Sequence, residues 1–178
     1  MTSPPPAPTR TLLLEAVDGL GLDADRLRSD ASGDKLYFTG LEFAAVVGMP
    51  MVIDFFQAVV QGVIKRASKG KTTTELGEEL GERTADAILG RIKNLAGEAR
   101  RYKDAPEHDE AGQERLIASL DAIMTDGLAD FRGAVTEEDV AQAGAEIAIY
   151  LAEEGLPVDR AKVLGPRVAG RIFDGWQT

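Results

Sequence analysis

Residues 51–66 read MVIDFFQAVVQGVIKR, and this stretch decides the fold. Val52, Ile53, Phe56, Val59, Val60, Val63 and Ile64 fall around most of the circumference of a helix with 3.6 residues per turn. Asp54, Gln57, Gln61 and Lys65 stand three and four residues apart and line up as one narrow polar stripe. A helix apolar most of the way round is normally buried. Residues 51–66 are therefore expected at the centre of the core, with the other helices packed about them.

Upstream, Thr39-Gly40-Leu41-Glu42 matches a capping box, in which a hydroxyl and a carboxylate satisfy the free amides of a first turn. A helix is expected from there to about Gly48, with Pro50 breaking or kinking the path into the central helix. Further upstream, Thr11 is expected to cap a helix carrying Leu12, Leu13, Leu14, Val17 and Leu20, closed by Gly19 and Gly21. Residues 1–10, MTSPPPAPTR, read as a flexible proline-rich tail, with no basic region and apolar run of the secretory kind. Lys35-Leu36-Tyr37-Phe38 is the one extended run. A single strand makes no sheet, so it is expected to act as a linker or as an edge for a partner.

Downstream, Thr72-Thr73-Thr74-Glu75 is a second capping box. The helix after it presents Leu76, Leu80, Thr84, Ile88, Ile92, Leu95, Ala99 and Tyr102 on one face. Its acids come early and its bases late, an order that complements the helix dipole. A helix from Pro106 to about Arg132 buries Leu116, Leu120, Ile123, Met124, Leu128 and Phe131 and stops at Gly133. Thr136-Glu137-Glu138-Asp139 starts the next, through Val140, Ala143, Ile147 and Leu151 to Gly155. The last, from about Asp159, presents Leu164, Val168, Ile172 and Trp176 and should kink at Pro166. The expectation is an all-α, single-domain antiparallel bundle of six to seven helices over residues 11–178. Gly77 and Gly81 suggest a close approach by a neighbouring backbone.

The chain has 178 residues, no cysteine, and 30 acidic against 20 basic side chains, a formal charge of −10. Without thiols there are neither disulfides nor thiolate metal sites, and a cytoplasmic location is the simplest expectation. The negative surface disfavours nucleic acid as a partner. Lys69-Gly70-Lys71-Thr72 resembles the end of a phosphate-binding loop, but the glycine required five residues before Gly70 is Lys65. His108 is the only histidine, which removes paired-histidine metal motifs. Glu42 and Asp54 are the carboxylates inside the apolar stretch, and a buried pair could work as an acid and a base. Glu42 already serves as a capping residue and Asp54 belongs to the polar stripe. No catalytic residue, cofactor or metal ligand is assigned on this basis.

Three functions remain open. The first is a non-enzymatic interaction module that assembles with itself or with another protein. Its candidate contacts are Leu36, Tyr37 and Phe38, the basic cluster Lys65, Arg66, Lys69 and Lys71, and the terminal aromatics Phe173 and Trp176. The second is a membrane-acting protein. Leu41 to Ile64 is too interrupted to span a bilayer, but it ends in that basic cluster and could be released onto an anionic membrane. The third is a small-molecule binder or enzyme with a pocket between helices.

Overall fold

The computed structural model describes residues 8–21, 44–69, 82–105 and 109–177, and every regular element among them is helical. The protein is an all-α bundle. Its helices are α1 (Pro8–Leu20), α2 (Met49–Lys69), α3 (Glu82–Asp104), α4 (Glu110–Ile123), α5 (Glu137–Glu153) and α6 (Val158–Gln177). A π-helical turn, Ala44–Gly48, leads into α2, and another, Met124–Leu128, carries α4 into a last turn, Ala129–Arg132.

The buried apolar side chains form one cluster with α2 at its centre. Met49, Met51, Val52, Ile53, Phe55, Phe56, Val59, Val60 and Val63 are all buried. α2 packs on α5, α3 and α1, while α6 lies against α5 and α1. The stretch Ala45–Arg66 is long and apolar enough to cross a membrane by length and composition. In this structure 72% of its apolar window is buried, as in the core helix of a bundle.

Pro50 does not break this helix. Proline has no N–H for the carbonyl four residues earlier and is tolerated in the first turn of a helix. Pro50 is the second residue of α2, and the turn directly before it has the wider π spacing. The chain thus passes from 44 to 69 by a local change of register. α6 likewise runs through Pro166. Pro166 and Lys162 are both exposed, so water can take the carbonyl that loses its donor.

α1 begins at Pro8, three residues before the expected cap at Thr11. Tertiary contacts extend it. The buried Thr9 gives its N–H to Asp121 Oδ1 at 2.9 Å, and Arg10 pairs with Glu114 at 2.5 Å. Gly21, with φ +60°, ends the helix, whereas Gly19 lies inside it against Val168. α4 starts at Glu110 rather than Pro106, because the side chain of Asp109 accepts the Gly112 N–H at 3.0 Å. Its expected buried face is the observed one, as is that of α3 from Ile88 to Ala99. At the π-turn, Gly127 leaves room for the Ile88 side chain, which a Cβ would overlap.

α5 and α6 make the most extensive helix contact. A Cβ on Gly144 would lie 2.8 Å from Pro166 Cα, and one on Gly165 would overlap the Gly144 carbonyl. The two backbones meet directly, as glycine alone permits. Gly77 and Gly81, where such contact was expected, lie outside the described residues, as do the capping boxes at Thr39 and Thr72.

Candidate functional site

The polar stripe of α2 is present as its spacing predicts. Asp54 and Gln57 are half-buried, and Gln61 and Lys65 are exposed. Its two ends meet different surroundings.

At the C-terminal end, Arg66 forms a charge-assisted hydrogen bond to Asp139 Oδ1 and donates to the Ala134 carbonyl at 2.7 Å. Asp139 also completes the capping box of α5, where its Oδ2 accepts the Thr136 N–H at 2.9 Å. Gly62 makes the space, since a Cβ there would overlap the Asp139 carboxylate. The bond to Asp139 raises the Arg66 pKa. Arg66 is thus a tie between α2 and α5 while its side chain stays partly exposed.

At the N-terminal end, Asp54 faces a cleft of about 350 Å³ between α2, α3 and α5. α3 contributes Arg100, Lys103 and Asp104 to its walls, and α5 contributes Tyr150 and Glu153, with Glu154 capping its C-terminus. Helical spacing explains each set. Arg100, Lys103 and Asp104 follow at steps of three and four, as do Tyr150, Glu153 and Glu154, so each helix presents one ridge. Burial raises the Asp54 pKa from 3.8 to about 7. Arg100 opposes this, and Glu146 and Glu153 add to it.

The Tyr150 hydroxyl is buried and has no hydrogen-bond partner among the described residues. Burial raises its pKa, helped by Asp54 and Glu153. Lys103 forms an ion pair with Glu154, and its ammonium rests 5.0 Å from the centre of the Tyr150 ring. Partial burial lowers the Lys103 pKa, against the pull of Asp104 and Glu153. The cleft therefore holds one aromatic wall, one orphaned hydroxyl and charges of both signs, with acids in the majority. Among the described residues, no three potential ligand side chains are grouped to hold a metal ion.

The expected contact residues disperse. Trp176 is buried, in edge-to-face contact with Phe55 and Phe56 at centroid distances of 6.2 and 5.1 Å. Phe173 packs half-buried beside them, 6.5 Å from both Phe55 and Trp176. These aromatics are consumed by the core and are not exposed anchors. Lys65 is exposed at the rim of a second, open depression that Arg66 also lines. Lys69 ends α2, and its side chain, like Leu36, Tyr37, Phe38 and Lys71, lies outside what is described. Glu42 and His108 lie outside it too.

Of the cleft, sequence reasoning singled out Asp54 but missed Tyr150, Lys103 and Arg100. One signal was legible. Tyr150 follows Ile147 on the buried face of α5, and a phenol there needs a partner that its own helix does not supply. No family model, curated protein or solved structure matches the chain.

Proposed function

We propose that this protein binds a small polar molecule in the cleft between α2, α3 and α5. One observation carries the reading: Tyr150, whose buried hydroxyl has no hydrogen-bond partner among the described residues, lines the same cleft as the half-buried Asp54. An unmade hydrogen bond on a buried group costs about 1–3 kcal/mol. Native interiors rarely carry that cost without a use for the group. A titratable side chain with a shifted pKa in a cleft is a further mark of a functional site. The volume lies within the range of roughly 300–1,000 Å³ that suits small ligands.

Among the residues lining the cleft, no hydroxyl or thiol is hydrogen-bonded to a base, so binding rather than turnover is proposed. Of the contacts named for assembly, Phe173 and Trp176 pack into the core while Leu36, Tyr37 and Phe38 lie outside the described residues, and the membrane reading requires release of a helix that is buried here. The test is a fragment panel titrated into ¹⁵N-labelled protein. Amide shifts concentrated around Asp54, Arg100 and Tyr150 are the expected result. A panel that shifts only residues remote from the cleft, or none, overturns the proposal.

A further inference from the structure

The charges in the cleft point to the kind of molecule it takes. Asp54, Asp104, Glu153 and Glu154 supply four carboxyl groups against the two cations Arg100 and Lys103. Lys103 is already engaged with Glu154. An anionic ligand would enter against this excess of acid, whereas a cation would relieve it. The cleft wall also holds an ammonium group already, since Lys103 Nζ sits over the Tyr150 ring in cation–π geometry. Beside it lies a buried phenolic oxygen with no hydrogen-bond partner among the described residues. An ammonium group is a compact set of N–H donors with no acceptor. It matches both a carboxylate and a lone phenolic oxygen.

We infer that the cleft binds a small organic ammonium ligand, a primary amine or short diamine, with its head group held by Asp54, Glu153 and the Tyr150 hydroxyl oxygen. The inference rests on the ligand-binding reading above and names its chemistry. Lys103 acts as the internal competitor, because its own ammonium repels the incoming one across the same ring. Asp54 is the principal counter-charge, and Tyr150 accepts one N–H from the ligand.

The experiment is isothermal titration of the full chain with 1,4-diaminobutane, with succinate and with inorganic phosphate, using wild type, Asp54→Asn, Lys103→Gln and Tyr150→Phe. Diaminobutane is expected to bind wild type, with Asp54→Asn weakening it about tenfold or more through loss of a charged hydrogen bond. Lys103→Gln is expected to tighten it, the opposite of what an anion site would show, and Tyr150→Phe to weaken it severalfold. Circular dichroism of each variant verifies that the fold is kept. Asp54→Asn, which removes a poorly compensated buried acid, is the variant whose folding is safest.

If succinate or phosphate binds and diaminobutane does not, the ammonium assignment falls while the ligand-binding reading stands. If diaminobutane binds wild type and Asp54→Asn equally, the assignment of the cleft falls. If none of the three probes binds, the ammonium assignment again falls, and the broader fragment panel alone decides the ligand-binding reading.

Discussion

Asp139 and Asp54 are both withdrawn from water by the same central helix, and they serve opposite ends. Asp139 is only 4% exposed, yet each of its oxygens is taken, one by Arg66 and the other by the Thr136 amide. Asp54 is less deeply buried, but burial governs its ionisation and no ion pair to it is found among the described residues. A buried charge that is paired and hydrogen-bonded is part of the scaffold, while one left poorly compensated shifts its pKa. The contrast separates a structural acid from an available one. Depth of burial alone would have ranked them the wrong way round.

The comparison breaks most easily at Asp139. Asp139→Ala removes the α5 cap and leaves the Arg66 guanidinium facing an empty site. The expected loss is about 2–4 kcal/mol, discounted because Arg66 is partly exposed. Urea unfolding measures it. A loss below about 1 kcal/mol would make Asp139 as dispensable as a surface acid.

Asp54 should show its character through pH. Its folded pKa lies above its unfolded value, so its favourable contribution is complete below about pH 4 and is lost as pH rises through about 7. Wild type should therefore lose stability relative to Asp54→Asn between those limits. Three pKa units correspond to about 4 kcal/mol, reduced by partial solvent access to on the order of 2–3 kcal/mol. Parallel stability curves for the two proteins from pH 4 to pH 8 would show that Asp54 is compensated after all.

Gly62 and Gly90 sharpen the same contrast at smaller scale. Gly62→Ala pushes a methyl into the Asp139 carboxylate and should cost about 1–3 kcal/mol. Gly90 meets nothing within 4 Å, so Gly90→Ala in the middle of α3 should gain about 0.5–1 kcal/mol. Thermal melts that move in the same direction for both would contradict the geometry around Asp139.

The smallest effect belongs to Tyr150→Phe. Removing a hydroxyl that has no partner among the described residues should be neutral or stabilising by up to about 1 kcal/mol. A clear destabilisation would reveal a partner for that hydroxyl and remove the main support for a ligand in the cleft.

Much of the fold was legible residue by residue. Apolar periodicity marked α2 as the core, and its polar stripe emerges with the expected members. The helix expected to start at Thr136 does so, and a capping box through Asp139 closes its first turn. These features are set within a few turns of one chain segment, where a hydrogen bond or a helical face is decided by neighbours in sequence. The extension of α1 to Pro8 was not legible, because Asp121 and Glu114, more than a hundred residues away, hold its first turn. Trp176 illustrates the opposite failure. A terminal aromatic looks like an anchor for a partner until Phe55 and Phe56 are seen to fill that role.

The sequence by itself determined that the protein is helical, which segments form most of its helices, and that one of them is apolar enough to need burial on nearly every side. Local hydrogen bonding and a period of 3.6 residues suffice for that. Only the tertiary structure decided that Arg66 closes on Asp139 while Asp54 opens on a cleft with Tyr150 and Lys103. Those pairings join residues about fifty to a hundred positions apart, and the energy of a charge depends on what the fold brings within a few ångströms of it.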